Sequence, residues 1–181
     1  MTNTAGGIAA EPKSGGLLVL LAGPVARGKD LLIASARRRY AGDPRIEFPA
    51  RLQTRTCEHD SEHIGIPRRV FRDIEQNRGF AVSWHNHDAR HGLTAGALES
   101  LHAGRIDVVA VPPDAISRFR ALWPNVEVVP LASDVDAVRP GAPRTPNATT
   151  VRHSGDIAEA VRRFHRVLDD IALRQFGRAR P

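Results

Sequence analysis

The chain has 181 residues, 41% hydrophobic and 25% charged, a balance that suits one globular domain and excludes a wholly disordered, collagen-like or coiled-coil chain. Its 26 basic residues outnumber 20 acidic ones, and 24 of the 26 are arginine, with Lys13 and Lys29 the two lysines. That excess favours anionic partners (phosphorylated metabolites, nucleotides or nucleic acid) without choosing among them. Cys57 is the single cysteine, so no intrachain disulfide forms. The longest apolar run, Leu17–Ala22, falls far short of the roughly 18 residues that span a bilayer. Residues 1–16 are small and polar, lack the pattern of a signal peptide, and read as a disordered tail before a single domain at 17–175 and a basic tail at 176–181. A reducing cytoplasm is the expected address.

Strand and helix patterns alternate along the chain. Leu17–Ala22 is continuously apolar, as a strand covered on both faces requires, and Gly23-Pro24 ends it. A helix is expected over 28–40, a weaker strand over 48–54, and a short helix over 69–78 closed by Gly79. Residues 80–84 read as a strand. Thr94 is placed to cap a helix that Gly104 ends. A buried strand follows over 107–111, a helix over 114–123 stopped by Pro124, and strands over 126–131 and 149–152. Within 156–171, Ile157, Val161, Phe164, Leu168 and Ile171 step by one helical face, with Ser154 where a cap belongs. This alternation predicts a three-layer α/β fold with a mostly parallel sheet. The exception is 133–148, where Pro140, Gly141, Pro143 and Pro146 predict a loop.

Between the first strand and the first helix lies Gly23-Pro24-Val25-Ala26-Arg27-Gly28-Lys29-Asp30, which matches G-x-x-x-x-G-K and then departs with Asp for Ser/Thr. The glycines let backbone N–H groups turn inward around phosphate oxygens, and the helix N-terminus adds partial positive charge. Lys29 can reach terminal phosphates. Asp30 lacks the usual hydroxyl ligand of Mg²⁺, but a carboxylate holds that ion directly or through water.

Three further stretches stand in order behind this loop: Arg51-Leu52-Gln53-Thr54-Arg55 with Glu62-His63; Phe80-Ala81-Val82-Ser83-Trp84-His85-Asn86-His87 with Gly92; and Ser154-Gly155-Asp156 before the last helix. With the Gly-Pro-x-x-x-Gly-Lys-Asp loop they resemble the ribose 1,5-bisphosphate phosphokinases, guanylate-kinase-like enzymes of phosphonate breakdown, over most of 17–168. The resemblance implies a P-loop NTPase fold with a guanylate-kinase-like, mostly parallel sheet and helices on both faces. It implies a kinase using ATP and Mg²⁺ on a small phosphorylated sugar. Residues 23–30 would hold the nucleotide, with Lys29 and Asp30 in catalytic positions and Asp30 as the metal ligand. Arg51, Arg55, Glu62, Ser83, His87 and Arg90 would hold the acceptor. Paired guanidinium groups suit a phosphate, because their fork matches its oxygens.

The departures from the family pattern are local. Val25, Ala26 and Arg27 add bulk to the loop, Thr56 replaces a Pro, and His91 stands where a Tyr is usual. Ala110, Pro112 and Pro113 stand where the family has Asn, Ser and Arg. The lid is reduced to 133–148, in which Arg139 and Arg144 are the only arginines, so Arg144 is the candidate for the transferring phosphoryl unless a homodimer partner donates one. Other readings are a non-catalytic relative that binds a nucleotide or phosphosugar, or a guanylate kinase. Asp88 and Asp107 are further acids for the cleft, without an assigned role. The groups Cys57, His59, His63 and His85, His87, His91 lack four ligands at a familiar zinc spacing and read as scattered imidazoles. Arg37–Arg39 and the tail arginines read as a solvated face rather than a nucleic-acid surface, and no membrane partner is expected.

Overall fold

The computed structural model describes residues 15–23, 28–54, 63–86, 89–133, 150–153 and 156–177. Strand β1 (Leu17–Ala22) is fully buried and leads toward helix α1 (Gly28–Arg39). Next come β2 (Ile46–Glu47), β3 (Arg51–Gln53), β4 (His63–Gly65) and α2 (Arg68–Gln76). Strands β5 (Phe80–Asn86) and β6 (Ala89–Thr94) precede α3 (Glu99–His102). The chain closes with β7 (Ile106–Val111), α4 (Ile116–Leu122), β8 (Val126–Ser133), β9 (Val151–His153) and α5 (Ile157–Phe176).

Two sheets result. One has five strands in the order β2-β7-β1-β8-β9, all paired in parallel, with Leu17 opposite Ile106 and Leu18 opposite Val126. The other has four, β4-β3-β6-β5, with a parallel β3/β4 pair and antiparallel β3/β6 and β5/β6 pairs. The pleat of β1 divides the core. Leu17, Val19 and Leu21 pack with Leu32, Ile33, Phe164, Leu168 and Ile171 of α1 and α5. Leu18, Leu20 and Ala22 pack with Val109, Phe119 and, from the second sheet, Val82, Trp84 and Leu93. Helices thus cover both faces of the parallel sheet, and the four-stranded sheet lies over one of them.

Several expectations are revised. The strand expected over 48–54 is shorter, Arg51–Gln53, and lies in the second sheet; the unexpected β2, Ile46–Glu47, precedes it, and Pro49, which has no N–H to give a ladder, falls between them. Residues 80–86 pair antiparallel with β6 and do not enter the parallel sheet. The cap of α5 is Asp156 rather than Ser154: its carboxylate accepts from the N–H groups of Ala158 and Glu159 at 2.8 and 3.3 Å. The last helix also runs further, to Phe176, where Gly177 at φ 66 supplies the left-handed turn. Ile157, expected on its apolar face, is 41% exposed, and the buried stripe begins at Ala160. Thr94 does not cap α3, whose N-cap is Leu98; its Oγ1 accepts from the Ala97 N–H at 3.3 Å in the 3-10 turn Gly96–Leu98 that leads into the helix, and Gly104, at φ 78, follows the helix end as expected.

Candidate functional site

In an open parallel sheet, ligands bind beyond the carboxyl ends of the strands. Here the end of β1 meets the start of α1. Gly23 is required by packing: a Cβ there would lie 2.8 Å from the backbone oxygen of Leu131 on β8. Gly28 is not, since its Cβ would make ordinary contacts at 3.8 Å and beyond. Packing against the described residues therefore does not require glycine at 28. Residues 24–27, with Pro24, Val25, Ala26 and Arg27, lie outside the described residues.

Lys29 is buried, and its Nζ donates to the Gly23 carbonyl at 2.7 Å, tying the start of α1 to the residue after β1. Burial lowers its pKa, Asp30 pulls it back up, and the neighbouring Arg51 charge acts with burial. Asp30 sits in the first turn of α1, where a carboxylate is favoured by the helix dipole. Its side chain is 52% exposed, against 12% for Arg51, which it meets at 2.9 Å. Arg51 also donates through Nη1 to the Ala110 carbonyl at 2.7 Å and closely approaches Nε2 of His63. That neighbour is set by register, since Arg51 and His63 stand opposite each other on β3 and β4. One guanidinium on β3 thus joins α1, β7 and β4. An exposed carboxylate beside a buried lysine and a run of helix N–H groups is a donor set that fits a magnesium-bound phosphate chain.

The pleat of the second sheet separates the expected acceptor residues. Register places Arg51, Gln53, His91 and Trp84 on the face toward the parallel sheet, and Leu52, Thr54, Arg90 and Ser83 on the face toward α2. On that second face Arg90 binds both carboxylate oxygens of Glu75, each at 2.6 Å, and lies over the Phe71 ring. Ser83 donates to the same Glu75 at 3.5 Å. Thr54 Oγ1 accepts from the Arg90 N–H at 2.9 Å, which ties β3 to β6. Ser83 and Arg90 therefore come together, while Arg51 faces the other way. Arg55, Glu62, His87 and Arg144 lie outside the described residues.

On the inner face His91 stacks on Trp84 at 5.6 Å between ring centroids. Burial, then the charges of Arg51, His63 and His85, push its pKa down to about 4, so it is neutral near pH 7. Asp107 is far from this end, at the start of β7 opposite Leu18, where Ser100 donates to it. Sequence reasoning did not single out Glu75. Its signal was spacing: Glu75 lies four residues after Phe71, the one buried residue of α2, on the same helical face.

The parallel sheet, the flanking helices and the buried lysine that ties the start of α1 to the end of β1 define an α/β chain of guanylate-kinase-like fold. The guanylate kinase of Anaplasma phagocytophilum superposes with a TM-score of 0.65 over 88% of this chain and 87% of that one, at 13% identity. By sequence, the ribose 1,5-bisphosphate phosphokinase PhnN of Bradyrhizobium diazoefficiens is 34% identical over 149 residues, 82% of this chain and 73% of that protein. The chain belongs to the ribose 1,5-bisphosphate phosphokinase family. The PhnN of Acidiphilium cryptum is 38% identical over 123 residues, 66% of this chain, and the chain spans just under two thirds, 65%, of that relative's length. No protein-family model matches the chain. Among the described residues no helix is long and apolar enough to cross a membrane.

Proposed function

We propose that the chain is a phosphotransferase that moves the terminal phosphoryl group of ATP to the 1-phosphate of ribose 1,5-bisphosphate, giving ADP and 5-phosphoribosyl 1-diphosphate. The observation that carries this reading is the buried Lys29 on the Gly23 carbonyl at the strand-to-helix turn, in a chain whose relatives bear that name. Residues 23–30 hold the phosphates by backbone N–H groups, and Lys29 exchanges its carbonyl for the terminal phosphates. Asp30 holds Mg²⁺, which when bound neutralises charge on the phosphate chain. Arg51 and Arg55 hold the acceptor's phosphate, with Glu62 and His87 shaping the pocket around it, while Ser83 and Arg90, paired with Glu75 on the opposite face of the second sheet, stand outside it. Phosphoryl transfer needs positioning and charge neutralisation, so no covalent residue is required.

A coupled assay with ATP, Mg²⁺ and ribose 1,5-bisphosphate tests this, with phosphoribosyl diphosphate expected as product. Lys29→Ala should weaken ATP binding by about tenfold or more, since it removes a charge-assisted contact. Guanosine monophosphate accepted in place of the sugar would make the chain a guanylate kinase instead. A second reading, nucleotide binding with slow turnover, is favoured by the shortness of 133–148 and its prolines. Arg144, or an arginine from a second copy of the chain, would then limit the rate. Turnover that is fast at every protein concentration and survives Arg144→Ala rules that reading out.

A further inference from the structure

Arg51 is assigned to the acceptor above, yet its guanidinium already has partners. It meets the Asp30 carboxylate at 2.9 Å and the Ala110 carbonyl at 2.7 Å, and touches His63. Asp30, the acid assigned to the metal, has Arg51 as its only side-chain partner among the described residues. The two groups that the proposed reaction needs on two different substrates are thus bound to each other. Their surroundings differ. Asp30 is half-exposed, whereas Arg51 is nearly buried and anchored through Nη1 on β7. A bare carboxylate in the first turn of α1 would also repel a triphosphate, and the pair cancels that charge.

We propose that Asp30 and Arg51 form an exchangeable ion pair that couples the two substrate sites, a reading that rests on the proposed function. With the nucleotide site empty, Arg51 screens Asp30. When a metal-bound nucleotide arrives, Asp30 turns to the divalent ion and releases Nη2 of Arg51. The anchored guanidinium then presents that edge to the acceptor's phosphate. Nucleotide and acceptor anion therefore strengthen each other's binding, by linkage through one pair. Arg51 acts first as a positioning residue for Asp30 and second as an acceptor contact.

The test is calorimetric binding of a non-hydrolysable ATP analogue, with Mg²⁺ and with chelator, to the wild type, Arg51→Gln, Arg51→Lys and Asp30→Asn. Without metal, Arg51→Gln leaves Asp30 unscreened and binding weakens. With Mg²⁺, Asp30 has no competing partner and binding is retained or tightened. The ratio of the two affinities should rise by about tenfold over the wild type, the size of one charge-assisted contact. Arg51→Lys should hold the ratio nearer the wild type, and Asp30→Asn should abolish most of it. A folded Arg51→Gln with an unchanged ratio overturns the coupling and leaves the proposed function standing. A wild type that binds no nucleotide overturns both. Should Arg51→Gln not fold, Asp30→Asn answers alone. It frees Arg51, so pyrophosphate in metal-free buffer should bind several-fold more tightly than to the wild type, and equal binding overturns the proposal.

Discussion

On the face of the four-stranded sheet that looks at the parallel sheet, Arg51 has a side chain 12% exposed and contacts from α1, β4 and β7. On the face that looks at α2, Arg90 is 34% exposed and is neutralised by Glu75, itself 34% exposed. The same residue type, on the neighbouring strands β3 and β6, is set in two dielectric surroundings. Inside, each polar group needs a designated partner, and a lost partner is costly. Outside, water replaces what a substitution removes, and the ion pair contributes little. A site that must change partners during a reaction is better built on the first kind, where exchange between designated groups is the alternative to hydration.

The apolar anchors of the two faces give the largest effects. Trp84 is 4% exposed on the inner face and Phe71 is 0% exposed against the outer one. Trp84→Ala and Phe71→Ala should each lose about 3–5 kcal/mol in urea unfolding, the usual cost of emptying a buried aromatic site. A much smaller loss for Phe71 would mean that α2 packs loosely, and the comparison would then concern rigidity rather than polarity.

Acid should separate the faces next. His91 has a folded pKa of about 4 against 6.5 for the free side chain, so the unfolded chain takes up its proton first. Its contribution is unchanged above pH 6.5 and is lost as pH falls from there to about 4, a penalty of about 3 kcal/mol at most. His91→Phe should flatten that arm of the stability–pH curve. An arm of equal slope in the variant would place the acid sensitivity elsewhere. Asp107, at the opposite end of the parallel sheet, has the reverse sign. Burial raises its pKa from 3.8 to about 6, with the Ser100 hydrogen bond working against the rise. Stability from this group is complete below pH 3.8 and is lost as pH climbs through about 6, roughly 3 kcal/mol in all. Asp107→Asn should therefore raise the melting temperature at pH 7.5 and change it little at pH 4. A variant less stable at pH 7.5 would show that the charged form is held by more than Ser100.

The smallest effect belongs to the outer ion pair. Glu75→Gln should cost about 1 kcal/mol or less, and less again in 1 M salt, because a third of each partner is already in water. A loss several times larger would put Arg90 in the same class as Arg51.

The central strands of the parallel sheet were legible because they announce themselves: Leu17–Ala22 and Ile106–Val111 are buried throughout, the first an unbroken apolar run and the second interrupted only by Asp107, whereas the two-residue β2 carries no such signal. The four-stranded sheet was half legible. Phe80–Asn86 carries a strand pattern, but Ala89–Thr94 contains Arg90, His91 and Gly92, and His63–Gly65 is three residues long. Their strand character comes from pairing rather than from composition. The same cause explains the site. The loop residues from Gly23 to Asp30 follow one another in sequence, so their clustering needed no fold. Whether Arg51 and Arg90 share a pocket depends on a strand register that no local pattern contains, and the pleat puts them on opposite faces.

The strand order β2-β7-β1-β8-β9 also governs the order of events at birth. β1 is made first and ends in the middle of its sheet, but Leu17 must wait about ninety residues for Ile106, and Leu18 more than a hundred for Val126. Pairings of such separation are slow to find. The hairpin of β5 and β6, by contrast, closes within fifteen residues, from Phe80 to Thr94. On the ribosome the second sheet can therefore begin to form while the most apolar stretch of the chain is still uncovered. Leu17–Ala22 then stays unpaired on both edges until β7 and β8 have been made.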